Sequence, residues 1–181
     1  MTDPFELLGI PARYDLDLDE LATRQRDLSR ALHPDRYAGR GASERRQALG
    51  KAIEVNEAAR LLKDPVKRAE LLLERQGVPV GEGVERQMPG DFLMEIMELR
   101  EQLGDLRRAR DMRGVEALCE RVGARQRQVT ERLQSGFREL LSSGSTSKSH
   151  PLGEQLLPLV AELRYYARFF AEAHAILDDF G

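Results

Sequence analysis

Apolar residues recur along the chain at the three- and four-residue spacing of amphipathic helices, and the alternating β-branched runs typical of strands are absent. Pro and Gly cluster at a few places, which divide the chain into helical segments. The pattern predicts an all-α protein with one short helix, ended by Gly9 and Pro11, and six longer helices. The longer helices are expected at about 17–32, 43–63, 66–76, 91–110, 112–141 and 154–179.

The grouping of these helices predicts two domains. The first two long helices lie close together in sequence and each has one apolar face, so they should pair as an antiparallel hairpin. The 112–141 stretch carries a heptad-like apolar row, interrupted at Arg125 or Gln126, which an antiparallel three-helix bundle would bury. Gly and Pro are concentrated between the two groups. We therefore expect a domain at 1–76, a linker at 77–90 and a second domain at 91–181.

Composition excludes several classes of function. The chain has 28 Lys and Arg residues against 31 Asp and Glu, so its net charge of −3 gives no sign of bulk nucleic-acid binding. One Cys excludes a disulfide framework and a Cys-rich metal site, and it favours a reducing, intracellular location. No apolar run reaches the roughly 18 residues of a membrane span, and no signal-peptide pattern opens the sequence.

The tripeptide His33-Pro34-Asp35 is the clearest candidate for chemistry. His33 could act as a general base that Asp35 orients, but no nucleophile is evident nearby, and a metal site would need more ligands. The tripeptide also fits a simple turn, in which Pro fixes φ and Asp bonds to the backbone. Basic residues surround it, since Arg26 and Arg30 lie one turn apart before it and Arg36 follows it. They could form a docking face or an ordinary solvated one.

The helix expected at 91–110 has apolar residues outside its core face. At about 100° per residue, the core face lies within about 40° of Phe92 and consists of Phe92, Ile96, Leu99, Leu103 and Leu106. Leu93 and Met97 lie about 100–140° from Phe92. At about 180–240° come Met94, Glu98, Glu101 and Asp105. Apolar residues beside an acidic stripe suggest a partner site, although Leu93 and Met97 could also belong to a wide core face.

The last helix is rich in aromatic residues. Tyr166, Phe169 and Phe170 have the spacing of a core face, whereas Tyr165 lies about 100° away. We expect Tyr165 to be exposed, and a half-buried structural tyrosine fits the same spacing.

Several motifs in the first domain agree with one known family. His33-Pro34-Asp35 joins two amphipathic helices, and Asn56-Glu57-Ala58, Asp64-Pro65 and Arg68 follow. Over residues 1 to about 76 this arrangement resembles the J-domain of DnaJ-type co-chaperones, whose His-Pro-Asp loop stimulates the ATPase of a DnaK-type chaperone. J-domains usually carry an aromatic residue where Gln25 stands.

The resemblance extends over the whole chain. The segments 5–11, 64–73 and 92–95 and the helix that finishes at Phe180 are similar to those of the HscB family. Members of this family are J-type co-chaperones of iron–sulfur cluster assembly. The Cys-pair zinc module found in many eukaryotic members is absent from the sequence, which favours the bacterial form.

The resemblance implies a cytoplasmic, L-shaped all-α protein that is not an enzyme and needs no cofactor or metal. It would bind the scaffold protein IscU, deliver it to the DnaK-type chaperone HscA and stimulate the HscA ATPase, without nucleic acid or membrane as partners. His33, Pro34 and Asp35 would stimulate the ATPase, and Arg26, Arg30 and Arg36 would dock the chaperone. The positions that match the family's scaffold contacts are Leu93, Met94, Met97, Glu98, Glu101, Asp105 and Tyr165.

Three other functions remain open from the residues alone. A general J-type co-chaperone for unfolded clients would share the first domain, but a defined acidic and apolar face on the 91–110 helix favours one folded partner. A small hydrolase using His33 and Asp35 would need a nucleophile and a pocket. A purely structural helical adaptor would need neither.

Overall fold

A computed structural model of the protein describes residues 2–80, 88–142 and 151–180. They form seven α-helices and one 3₁₀ turn, with no strand in these ranges, so the predicted all-α class is confirmed. The helices are α1 (Pro4–Leu8), α2 (Leu18–Ala31), α3 (Ala42–Lys63), α4 (Pro65–Arg75), α5 (Gly90–Ala109), α6 (Met112–Ser142) and α7 (Pro151–Phe180). The 3₁₀ turn is Pro34–Tyr37.

Local sequence explains where the helices begin. The Asp17 carboxylate accepts hydrogen bonds from two backbone N–H groups at 2.9 and 3.1 Å, so it caps α2. Asp64 caps α4 in the same way, at 2.8 and 3.1 Å. Helix α7 begins at Pro151 rather than at the predicted Glu154. Proline is favoured in the first turn of a helix because no intrahelical partner exists there for the N–H that it lacks.

The chain divides into two compact units, Met1–Leu72 and Leu73–Gly181. Residues 81–87, half of the predicted 77–90 linker, lie outside the described residues, as do residues 143–150 between α6 and α7. Val78 belongs to the second unit and is buried against α7. A Cβ added to Gly153 of α7 would lie 2.6 Å from the Val78 Cγ2 atom, so glycine permits this close approach.

In the first unit, α1 and α2 both pack against α3. Phe5, Leu8 and Tyr14 fill the core with the buried face of α3. That face consists of Ala48, Val55, Ala58, Ala59 and Leu62. Helix α2 contributes less, because Leu21 is its only fully buried residue.

In the second unit, α6 and α7 pack against each other and α5 packs on α6. The apolar row that the sequence predicts on α6 is buried throughout: Val115, Leu118, Val122, Val129, Leu133, Phe137 and Leu140. None of the helices in the described ranges is both long and apolar enough to cross a membrane.

Candidate functional site

The His33-Pro34-Asp35 tripeptide, hereafter the His33 loop, forms the start of the 3₁₀ turn after α2. The Asp35 backbone N–H donates to Nδ1 of His33 at 3.3 Å, so the imidazole caps the turn. One carboxylate oxygen of Asp35 lies 3.4 Å from the same Nδ1. The His33 side chain is 58% exposed and that of Asp35 is 90% exposed. The turn thus places both side chains on an open surface.

This geometry suits recognition better than catalysis. Among the described residues, the hydrogen bond with Asp35 is the only one that the His33 side chain makes, so no nucleophile is positioned against the imidazole. No group of three or more His, Cys, Asp or Glu side chains within the described ranges could hold a metal ion. What the loop offers is two exposed polar side chains on a capped turn.

The hairpin that carries the loop is joined by a polar bridge at Gln25. The Gln25 side-chain amide donates to Asn56 Oδ1 at 3.1 Å, and its carbonyl accepts from Lys63 Nζ at 2.9 Å. Where J-domains usually place an aromatic residue, this chain thus links α2 and α3 by hydrogen bonds. Leu28 on the same face of α2 and Leu32, the residue that follows this helix, are only half-buried.

The basic residues near the loop are all exposed. Arg26, Arg30 and Arg36 lie at the surface of the first unit, and Arg26 donates to the Thr23 hydroxyl at 3.1 Å. Asp27 is exposed as well and reduces the local positive charge. Exposed arginines of this kind can orient an acidic partner and raise its association rate.

Helix α5 presents three large apolar side chains to solvent. Leu93 is 48% exposed, Met94 is 64% exposed and Met97 is 71% exposed. These three residues form the α5 surface. Phe92, Leu99 and Leu103 are buried on the opposite side of the helix. The placement of Leu93 and Met97 outside the core is thereby confirmed, and the wide-core alternative is wrong.

The acidic stripe of Glu98, Glu101 and Asp105 borders the α5 surface. All three residues are exposed. Asp105 forms an ion pair with Arg108, one turn later in the same helix. Neither Glu98 nor Glu101 has an ion pair with any residue that the structure describes, so their carboxylates can meet a basic partner.

Aromatic and polar contacts hold α5 in place. The Phe92 ring meets the rings of Tyr165 and Tyr166 edge-on, with centroids 5.8 and 5.9 Å apart. Glu95 pairs with Arg125 of α6 and lies 3.5 Å from the Tyr166 hydroxyl. One sign of this contact is visible in the sequence, where Arg125 or Gln126 interrupts the apolar row of α6. The pattern gives no sign that Glu95 is the partner.

Tyr165 is half-buried, which corrects the expectation that it is exposed. Its hydroxyl donates to the Ile96 carbonyl oxygen at 3.3 Å. Burial raises the pKa of its phenol. The angular position of Tyr165 on α7 lies outside the face of α7 that was expected to be buried. Helix α5, however, covers the side of α7 on which Tyr165 lies. Tyr165 therefore adjoins α5, while the His33 loop and the three arginines belong to the other unit.

Comparisons with known proteins agree with this arrangement. Residues 88–174 match the family model described as the HSCB C-terminal oligomerisation domain. The co-chaperone protein HscB of Proteus mirabilis is 40% identical over 109 residues, which is 60% of this chain. A solved chaperone HscB from Vibrio cholerae matches with a TM-score of 0.82 at 29% identity, covering 99% of this chain and 100% of that one. The chain is thus similar to HscB proteins, and residues 88–174 match their C-terminal domain.

The share of each relative that is covered defines the extent of the likeness to HscB proteins. The aligned segment spans 63% of the Proteus mirabilis HscB, less than two thirds of its length. The crystal structure of human co-chaperone HscB matches with a TM-score of 0.82 at 24% identity, over 97% of this chain and 82% of that one, and so shares the fold. The Proteus mirabilis and human proteins are both named as co-chaperones.

Proposed function

We propose that this chain is a member of the HscB family that binds the scaffold protein IscU and delivers it to the DnaK-type chaperone HscA, whose ATPase it stimulates. This action would aid the maturation of iron–sulfur proteins in the cytoplasm. Residues 1–76 would act as a J-domain, 77–90 as a linker and 91–181 as the scaffold-binding domain. The chain itself would carry out no catalysis.

The α5 surface is the observation that carries the proposal. Leu93, Met94 and Met97 are more exposed than folding alone would favour, and two unpaired carboxylates lie beside them. An apolar surface with a charged rim is typical of a site that captures one folded partner. Methionine side chains adapt readily to the shape of a partner. Tyr165 supports this site by its contact with α5, and it would reach the scaffold at the margin of the surface.

The His33 loop supplies the second contact. It is exposed and capped by the His33 imidazole, and Arg26, Arg30 and Arg36 offer positive charge to an acidic surface on the chaperone. Holding a scaffold and a chaperone on one chain makes their meeting intramolecular, which raises the effective concentration of each for the other.

ATP turnover by a DnaK-type chaperone tests the proposal. The rate is measured for the chaperone alone, with this chain, with the scaffold, and with both. Stimulation by the chain, increased further by the scaffold, is the expected result. A chain that binds the scaffold but leaves ATP turnover at its basal rate would contradict the proposal.

A further inference from the structure

A second exposed apolar surface lies in the first unit, on α3. Ile53 is 61% exposed, and Leu49, one turn earlier, is 56% exposed. At about 100° per residue, Ile53 points about 160° away from Val55 in the buried face of this helix. Neither residue belongs to the His33 loop or to the face of α2 that carries Arg26 and Arg30, hereafter the arginine face.

Ile53 forms part of an apolar groove between α1 and α3. The groove has a volume of about 160 Å³, and its apolar walls are completed by Pro4 and Leu7 of α1 and by Leu61. At about 30 Å³ for each water molecule, this space equals about five waters. It could therefore receive one apolar side chain, and it is too small to hold more of a partner.

The fold gives no reason for isoleucine at this position. A β-branched residue is a poorer helix former than alanine, glutamate or lysine, and Ile53 buries too little area to strengthen the core. A single exposed apolar residue is ordinary. Leu49 and Ile53 together continue an apolar groove, and contiguous patches of this kind mark interaction sites.

The charge at the groove is acidic. Glu54 and Glu57 are the charged residues among its described lining. The Glu57 carboxylate accepts two hydrogen bonds from the Arg60 guanidinium, at 2.8 and 2.6 Å, and is thereby neutralised. Glu54 has no ion pair with any described residue, so its carboxylate can accept a cation. Arg46 lies two turns before Ile53 on the same helix, beyond the groove.

We propose that this groove binds a short apolar peptide segment flanked by lysine or arginine, such as an unfolded protein exposes. One apolar side chain of the segment fills the space between α1 and α3, and a flanking cation pairs with Glu54. The site uses no residue of the α5 surface or of the His33 loop. The chain could therefore hold an extended segment while both of those sites are occupied.

Fluorescence anisotropy with the full chain tests this inference. The probe is a fluorescein-labelled peptide with a leucine core and flanking lysines. Two control peptides replace either the lysines by glutamates or the leucine core by serines, and both should bind much more weakly. Ile53→Gln should weaken binding of the probe about tenfold, equivalent to ~1.4 kcal/mol. Leu18→Gln is the matched control, since Leu18 is 51% exposed on α2 and should not affect binding.

A charge variant completes the test. Glu54→Lys should weaken binding of the lysine-flanked peptide and not that of the glutamate-flanked one. Helicity by circular dichroism and stimulation of the DnaK-type ATPase should equal those of the unmodified chain, so failure here is distinct from failure of the proposed function. Equal binding of both charged peptides, or unchanged binding by Ile53→Gln, would overturn the inference. So would self-association that Ile53→Gln abolishes in the absence of peptide binding, because it assigns the groove to a second copy.

Discussion

Of the three residues of the α5 surface, Met97 is the one whose substitution should weaken binding of the scaffold with the least loss of stability. Full burial of a methionine side chain contributes roughly 1.5–3 kcal/mol. Met97 remains 71% exposed, so folding uses less than a third of this, and Met97→Ala should lower the free energy of unfolding by about 0.5–1 kcal/mol. A scaffold that covers the remainder gains about 1–2 kcal/mol, so the same substitution should weaken capture roughly tenfold.

Two measurements on the same samples check this separation. Isothermal titration calorimetry with the scaffold gives the affinity, and thermal unfolding gives Tm, which should fall by about 2–4 °C for each kcal/mol. Adding Leu93→Ala should increase the loss of affinity to roughly thirtyfold. Leu103→Ala is the matched control, because Leu103 is 1% exposed on the same helix and its truncation should cost about 2–5 kcal/mol of stability.

Either of two results would contradict this separation of binding from folding. If Met97→Ala lowers Tm as much as Leu103→Ala does, then Met97 supports the core. If Met97→Ala leaves the affinity for the scaffold unchanged, the partner does not use the α5 surface.

Three further predictions concern the loop, the arginine face and a buried tyrosine. His33→Gln should abolish ATPase stimulation but leave helicity and scaffold binding intact, and lost scaffold binding would contradict the two-site proposal. Replacing Arg26 and Arg30 by Ala should slow association with the chaperone in stopped-flow measurements and reduce its dependence on salt; an unchanged salt dependence would mean that these are ordinary solvated charges. Burial, with Glu95 nearby, raises the pKa of Tyr166 from 10.0 to about 12. The folded state therefore retains this proton longer, and the free energy of unfolding should fall as pH rises from 10 towards 12. Tyr166→Phe should remove part of that fall in urea unfolding, and an equally steep fall in this variant would exclude Tyr166 as its source.

Helical periodicity predicted correctly which side of α5 is buried and which is exposed, because this property depends on one helix alone. The spacing of Phe92, Leu99 and Leu103 fixes one side of α5 towards the core, so the exposure of Met94 and Met97 on the other side follows from geometry. Tyr165 could not be predicted in this way. Its burial depends on where α5 lies beside α7, and the period of a single helix contains no information about its neighbour.

Polar contacts between helices could not be predicted from the sequence pattern either. The sequence pattern shows an interruption of the apolar row at Arg125 or Gln126, but Glu95, the partner of Arg125, is 30 residues away. The amide of Gln25 meets two residues of α3 for a similar reason. Such pairs require the register between two helices, which packing of the finished fold determines. The groove beside Ile53 likewise exists only once α1 lies against α3.

The weak burial of α2 has a consequence for the motions of the first unit. Its single fully buried residue is Leu21, whereas α3 has five. The free energy needed to detach a segment increases with the apolar area that becomes exposed. Helix α2 should therefore detach locally before α3 unfolds, and its backbone amides should exchange with deuterated solvent faster than those of α3. A chaperone that holds Arg26 and Arg30 would hold the least anchored of these two helices, so its binding should slow that exchange.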